Sequence, residues 1–238
     1  MLSIPGFSPV FRDHITKSPG IDRCPEIGYS EKKAKGGNAM EHKKLLITGF
    51  DPFGGETINP SWEAVRRLPD TIGNYTLTKM EIPTVFGEAA KLVLEEAGKL
   101  RPDVIISVGQ AGRRTGITPE VVGINLREAK ITDNAGNQPV NIPVVPGGPV
   151  AYFATLPVRE MVAAMEQAGI PAFLSYTAGT FVCNDVLYTL LNRFDGTSTL
   201  AGFIHVPYLP QQAPENVFSL PLEEIVRGLT AAIEALPG

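Results

Sequence analysis

The 238-residue chain has little cysteine, no excess of basic residues and no long apolar run. Its two cysteines, Cys24 and Cys183, are far apart in unlike contexts, which excludes a disulfide framework and predicts a reducing, cytoplasmic environment. A net charge of −4 argues against nucleic-acid binding, for which a basic excess is typical. Without a run of about 18 apolar residues, no transmembrane helix and no membrane partner are expected. His, Cys and acidic residues do not cluster at metal-ligand spacing, so no metal site is predicted.

Residues 1–40 differ from the rest of the chain. They are polar, contain Gly and Pro, and show no sustained helical or strand period, so they cannot bury enough apolar surface to offset the entropy of ordering. We therefore expect a mostly disordered N-terminal extension over 1–40 and one folded domain over 41–238. A chain that is 43% hydrophobic is long enough for one large, well-buried core.

The folded part alternates strand-like and helix-like segments. Strands are predicted at 45–50, 75–83, 104–110, 119–131, 172–178 and 200–208, and helices at 87–100, 157–169, 182–194 and 222–236. This alternation predicts an α/β fold, a single-domain α/β/α sandwich with a mixed, largely parallel central sheet. In such sheets, reactive groups gather at the carboxyl ends of strands, on the loops that lead into helices.

The stretch SYTAGTFVCND, residues 175–185, places Cys183 at such a position. A thiol in the first turn of a helix faces unpaired backbone N–H groups and the positive end of the helix dipole, which lower its pKa. The same N–H groups can stabilise an oxyanion on a substrate carbonyl. The alternative is a buried packing residue, which is the commoner role of a single cysteine.

His205 is the one histidine of three that lies within the predicted fold, since His14 and His42 lie in or beside the polar N-terminal segment. Because a strand–helix–strand unit usually places its two strands side by side, we expect Cys183 and His205 to lie within hydrogen-bond reach, as in nucleophilic cysteine hydrolases. A structural histidine at the end of a strand is the alternative. Candidate carboxylates for orienting the imidazole are Asp51, Glu81, Glu120, Asp133 and Asp185. Asp185 lies two residues after Cys183, so helical geometry points it elsewhere, and position does not choose among the other four.

Two polar loops follow predicted strands. The loop 49–61 carries Phe50 and Phe53, which suit an aromatic clamp for a small flat substrate and ordinary core packing equally well. In the loop that follows strand 104–110, the side chain of Gln110 can donate and accept hydrogen bonds to an amide-like ligand. The neighbouring pair of arginines, at 113 and 114, reads as solvated charge.

Taken together, six stretches resemble one family, in the family's order and over residues 43 to about 236. They are LLITGFDPFGGETINPS, VGQAGRRTGITPEVVGIN, DNAGNQP, AYFATLP, SYTAGTFVCND and AGFIHVPYLPQQ. The chain resembles pyroglutamyl peptidase type I, also called pyrrolidone-carboxylate peptidase. The resemblance implies a cytosolic cysteine peptidase that removes an N-terminal pyroglutamate (5-oxoproline) from peptides without a cofactor, and a homo-oligomer, either a dimer or a tetramer.

The same resemblance implies roles for the matched residues. The nucleophile would be Cys183, the general base His205 and the orienting acid Glu120. The pyroglutamate pocket would consist of Phe50, Phe53, Gln110, Ile131, Phe181 and Val182. Lys130 stands where the family usually has arginine, and lysine keeps the charge but lacks the planar fork of donors. If this position assists near the oxyanion, as an auxiliary group, the exchange lowers activity.

The leading interpretation is a cysteine omega-peptidase that acts through a thioester. One alternative is a different cysteine amidohydrolase on the same scaffold, cleaving another small lactam or amide. The other is a non-catalytic binding protein in which Cys183 and His205 are structural. Thiol reactivity distinguishes these interpretations, since rapid alkylation near neutral pH is expected of a catalytic Cys183.

Overall fold

The computed structural model describes residues 42–238, and the predicted extension over 1–40 lies outside the described residues. The strands are β1 (Lys43–Phe50), β2 (Thr71–Ile72), β3 (Tyr75–Ile82), β4 (Val104–Gln110), β5 (Thr118–Pro119), β6 (Val122–Ile124), β7 (Ala151–Phe153) and β8 (Leu200–Val206). The helices are α1 (Pro60–Val65), α2 (Glu88–Leu100), α3 (Val158–Gln167), α4 (Val182–Phe194) and α5 (Leu222–Glu234). Within the described part, no helix has the length and apolar character needed to cross a membrane.

The central sheet has six strands in the order β2-β3-β1-β4-β8-β5. The four inner strands run parallel, and the two short edge strands, β2 and β5, run antiparallel to their neighbours. Strands β6 and β7 form a separate antiparallel pair. The inner strands β1, β4 and β8 are apolar runs because both of their faces are buried. The predicted mixed, largely parallel sheet is confirmed.

Each face of the sheet packs against helices, which gives two hydrophobic cores. Because successive side chains of a strand point to opposite faces, Leu45 and Ile47 enter one core and Leu46 enters the other. Residues of α1, α3 and α5 complete the first core, and residues of α2 and α4 complete the second. The nucleophile candidate Cys183 thus belongs to a helix that is packed along its length against the sheet.

The short helix α1 was not predicted, although its start carries clear signals. Asn59 caps it by accepting a hydrogen bond from the N–H of Ser61 at 3.1 Å, and Pro60 occupies the first helical position. The Ser61 hydroxyl in turn accepts a hydrogen bond from the N–H of Phe50 at 3.0 Å. This bond fixes the end of β1, where the predicted aromatic loop begins.

Two strand predictions were wrong. Residues 172–178 form only isolated bridges, at Ala172 and Ser175, and the span 119–131 contains just the end of β5 and the short β6. The partner of segment 172–175 is the region of β5, which is short and contains Pro119, a residue with no N–H to donate. A regular ladder therefore cannot extend here, and β5 separates this segment from β8.

Candidate active site

A cavity of about 360 Å³ opens at the carboxyl ends of the central strands, beside the start of α4. A cavity of this size suits a small ligand. Six of the predicted site residues line it: Phe50, Phe53, Gln110, Phe181, Cys183 and His205. The sheet and α4 therefore bring together side chains that are far apart in the sequence.

Cys183 is the second residue of α4. Gly179 has a φ of +76°, a conformation that favours glycine, and it turns the chain toward the helix. The N-cap residue is Phe181, whose side chain cannot accept a hydrogen bond, so the N–H groups of the first turn have no side-chain cap. These N–H groups lie beside the thiol and are available to a ligand oxygen.

The sulfur of Cys183 sits against Gly109 in β4. A Cβ atom at position 109 would lie 3.0 Å from this sulfur and 2.7 Å from the ring of Phe203. Gly109 is also the residue of β4 that pairs with His205 of β8. The absence of a side chain at 109 is therefore what allows the thiol to pack against the strand next to His205.

His205 and Glu120 form a buried pair. Nδ1 of His205 lies 2.7 Å from Oε1 of Glu120, and both side chains are almost completely buried. The antiparallel pairing of β5 with β8 sets Thr118 opposite His205, which brings the next residues of the chain to the imidazole. With Nδ1–H donating to the carboxylate, Nε2 carries the lone pair that can accept a proton. Of the five candidate carboxylates, Glu120 is the one that contacts His205 in the described part of the chain.

Burial and charge set the protonation states of this pair. Burial alone would raise the pKa of Glu120, but hydrogen bonding and charge interaction with His205, aided by Ser175 and Arg114, hold it below its ordinary value. Burial lowers the pKa of His205, and Arg114 adds to this effect while Glu120 opposes it. Near neutral pH the site therefore holds an ionised carboxylate and a neutral imidazole.

Cys183 does not carry the low pKa expected from its place at a helix start. Burial, with a smaller contribution from the charge of Glu120, raises the pKa of the thiol to about 12. Arg114 and the backbone N–H of Cys183 itself act in the opposite direction but are outweighed. Because a raised pKa favours the protonated thiol, the rapid alkylation near neutral pH that a thiolate would show is not expected of Cys183.

Arg114 is a site residue that the sequence analysis missed. Its Nη2 lies 2.8 Å from Oε1 of Glu120 and also donates to the carbonyl of Thr177 at 2.9 Å, while Nη1 donates to Thr118. The prediction of a solvated charge was wrong for Arg114. Arg113 is exposed, as predicted. Two adjacent arginines in a loop carry no sequence signal that distinguishes the one that contacts Glu120.

The wall opposite the sheet is aromatic. Phe181 lies between Phe53, with ring centroids 6.3 Å apart, and Phe86, whose ring meets it edge-on at 5.2 Å. Phe86 was not predicted from the sequence. Gln110 adds one polar group, because its Oε1 is buried and has no hydrogen-bond partner among the described residues. The cavity thus offers apolar walls and one unsatisfied acceptor.

Two side chains fasten the first turn of α4 to the rest of the domain. Asn184 hydrogen bonds to both the N–H and the carbonyl of Ile124 at 2.9 Å. The buried Asp185 contacts Arg127 at 2.6 Å and accepts a hydrogen bond from the N–H of Gly87 at 2.7 Å. Asp185 therefore points away from the cavity, as helical geometry predicted, and its role is to hold the helix start in place.

Comparisons with known proteins identify the family of the chain. The family model for pyroglutamyl peptidase matches residues 43–237. A pyrrolidone-carboxylate peptidase of Levilactobacillus brevis is 53% identical over 197 residues, which cover 81% of this chain and 97% of the relative. The chain belongs to the pyroglutamyl peptidase family.

Crystal structures of this family share the fold. Pyroglutamyl peptidase I from Bacillus amyloliquefaciens superposes with a TM-score of 0.79 at 48% identity, over 82% of this chain and 97% of that one. Pyrrolidone carboxyl peptidase from Thermococcus litoralis gives a TM-score of 0.78 at 35% identity, over 82% and 93% of the two chains. The α/β architecture of this pyroglutamyl peptidase family member is thereby confirmed.

Three residues that the family resemblance placed at the site do not line the cavity. Ile131 is 52% exposed and Lys130 is also exposed, since both lie on the outer side of the loop before the buried turn at Asp133. Val182 is completely buried, because its side chain points from α4 into the core shared with α2. Lys130 is thus not among the residues that line the cavity with Cys183, and its auxiliary role stays a prediction.

Proposed function

We propose that this chain removes N-terminal pyroglutamate from peptides, with Cys183 as nucleophile, His205 as general base and Glu120 as the acid that orients the imidazole. The observation that carries the proposal is that Cys183 and His205, which is paired with the buried Glu120, line one cavity of a pyroglutamyl peptidase family member. Because a thiol nucleophile must stay reduced, this chemistry also supports the cytoplasmic placement expected from cysteine usage.

The protonation states define the order of steps. Because the thiol and the imidazole are both neutral, the proton of Cys183 moves to Nε2 of His205 while the sulfur attacks the pyroglutamyl carbonyl carbon. The backbone N–H of Cys183 stabilises the resulting oxyanion. The imidazolium then gives its proton to the leaving amine, the C–N bond breaks, and a thioester remains. Water, deprotonated by His205, hydrolyses this thioester and releases pyroglutamate.

The cavity fits a small neutral lactam. Phe53 and Phe181 supply apolar walls, and Oε1 of Gln110 is placed to accept a hydrogen bond from the lactam N–H. The positive charge of Arg114 is already engaged by Glu120. A prolyl ring would bring an ionised amine into this apolar cavity in place of the lactam, at the cost of desolvating a charge.

Selectivity between pyroglutamyl and prolyl amides tests the proposal. We expect the wild-type chain to release a chromophore from the pyroglutamyl amide with a kcat/KM at least about 10³-fold higher than from the matching prolyl amide. Equal turnover of both amides would favour the amidohydrolase alternative. A folded wild-type protein that turns over neither amide would favour a non-catalytic binding protein.

We further infer that the chain forms a homo-oligomer through the segment 140–153. Four large apolar side chains of this segment are exposed, among them Val150 at 87% and Phe153 at 77%. Clustered exposed apolar residues are typical of interfaces between subunits. A second copy of the same chain is the partner that the family resemblance implies.

Adding charge to the exposed apolar segment 140–153 should lower the mass of the oligomer. The double variant Val150→Asp, Phe153→Asp is expected to elute as a smaller species than the wild type in size-exclusion chromatography with light scattering, because two buried carboxylates would oppose association. Ser198→Asp adds a charge at another exposed position and should leave the mass unchanged. A wild type that is already monomeric would contradict the inference.

A further inference from the structure

We propose that Arg114 is a positioning residue for the reaction, and that its guanidinium holds Glu120 fixed and ionised so that His205 presents a neutral Nε2 to the cavity. The proposal rests on the function proposed above for Cys183 and His205. It concerns a residue that lines the same cavity but whose hydrogen bonds run to the protein.

One carboxylate oxygen serves two partners. Oε1 of Glu120 lies 2.8 Å from Nη2 of Arg114 and 2.7 Å from Nδ1 of His205. The guanidinium is held from two further directions, by the hydroxyl of Thr118 and the carbonyl of Thr177. A planar group with three fixed contacts has one orientation, so it also fixes the carboxylate to which the imidazole is bound.

The negative charge of Glu120 also needs a compensating positive charge. Glu120 is completely buried, and a neutral imidazole does not compensate a buried carboxylate. Arg114, whose side chain is 20% exposed, supplies the opposite charge. Without it, Glu120 would either take up a proton or draw one onto His205, and in both cases His205 would be poorly suited to accept the proton of Cys183.

The groups that face His205 act in opposite directions. Glu120 raises the pKa of His205, while Arg114 and burial lower it. Cys183, which lines the same cavity, is neutral near neutral pH. The two charged neighbours therefore act in opposite directions, and the removal of one should move the titration of His205 in a direction that identifies it.

Arg113 provides a matched control. It is the adjacent residue, has the same charge and lies in the same loop, but it is exposed and lines a different cavity together with Thr115 and Tyr208. A general effect of lost positive charge would appear in Arg113→Gln as well as in Arg114→Gln. A positioning effect would appear only in the latter.

The experiment compares the full-length wild type with Arg114→Gln, Arg114→Lys and Arg113→Gln. The imidazole of His205 is titrated by NMR, with its signal assigned by its loss in His205→Gln, and kcat and KM are measured on a pyroglutamyl amide. In Arg114→Gln we expect the pKa of His205 to rise by about one unit and the acid limb of kcat/KM to move to higher pH by the same amount. At neutral pH, kcat should fall about 10- to 100-fold while KM changes little.

The other variants separate the effect of the positive charge at position 114 from the effect of the planar guanidinium. Arg114→Lys should keep the wild-type titration of His205 but recover only part of kcat, because lysine lacks the planar fork. Arg113→Gln should match the wild type in both measurements. An unchanged His205 titration in folded Arg114→Gln would overturn the proposal, and so would an equal shift in Arg113→Gln.

A second variant and the independence of the NMR titration from turnover allow the role of Arg114 to be tested in every case. If Arg114→Gln does not fold, the isosteric Thr118→Val removes one anchor of the guanidinium, and an unchanged His205 titration in that variant overturns the proposal. The NMR titration does not depend on turnover. A wild type without activity would therefore refute the proposed function, while the titration would still decide the role of Arg114.

Discussion

Replacing Cys183 with alanine should abolish hydrolysis of a pyroglutamyl amide, with kcat lower by at least about 10⁴-fold. Without the sulfur no thioester can form, and the remaining groups can only assist direct attack by water. The fold should persist, because alanine is well suited to a helix, and Cys183 is a free cysteine that forms no disulfide. Initial rates and circular dichroism of the purified variant measure the two effects separately.

The other cysteine of the chain supplies the control for this experiment. Cys24→Ala removes a thiol from residues 1–40 and is expected to retain the wild-type rate. If Cys183→Ala kept more than about a hundredth of the wild-type kcat, Cys183 would not be the nucleophile. Selective turnover that is lost in Cys183→Ala and kept in Cys24→Ala would support both the nucleophile and the substrate class.

Glu120→Gln is expected to show the second largest effect, a loss of about 10³- to 10⁴-fold in kcat. The glutamine amide can donate a hydrogen bond to Nδ1 of His205, which would place the proton on Nε2, the nitrogen that must accept it from the thiol. The variant also removes the negative charge that offsets Arg114. Steady-state kinetics on the pyroglutamyl amide at several pH values measure both consequences.

The sign of the pH effect distinguishes this variant from Arg114→Gln. Because Glu120 raises the pKa of His205, its loss should lower that pKa and move the acid limb of the remaining kcat/KM to lower pH. Glu95→Gln changes an exposed glutamate of α2 and should behave as the wild type. A Glu120→Gln protein that kept more than a tenth of the wild-type kcat would show that the carboxylate does not orient the base.

Much of the fold could be predicted because its elements carry local signals. The helix 182–194 was predicted with the boundaries that the structure shows, since its apolar face and the preceding glycine turn are both local features. The segment 172–178 was predicted as a strand because it is apolar, but its pairing depends on a partner that contains Pro119. Strand pairing is a property of two segments, and the sequence of one does not determine it.

The site, too, could be predicted only in part, because it depends on contacts between distant segments. The reasoning that brought Cys183 and His205 together assumed neighbouring strands, whereas β5 lies between segment 172–175 and β8. The two residues nevertheless line the same cavity, because parallel strands and the helix start share one edge of the sheet. Neither Glu120 nor Arg114 could be assigned from position. The role proposed for Glu120 depends on a contact of 2.7 Å with His205, and that of Arg114 on a contact of 2.8 Å with Glu120.

The raised pKa of the Cys183 thiol also bears on which reagents can modify the protein. Oxidants such as hydrogen peroxide, and simple alkylating reagents, react with thiolates and hardly at all with protonated thiols. With its pKa raised to about 12, Cys183 offers them little thiolate near neutral pH. A compound that carries a lactam ring and an electrophilic carbon would instead receive the sulfur as its proton moves to His205. The raised pKa therefore slows the reaction of Cys183 with small reagents, whereas inhibitors shaped like its substrate can still react with it.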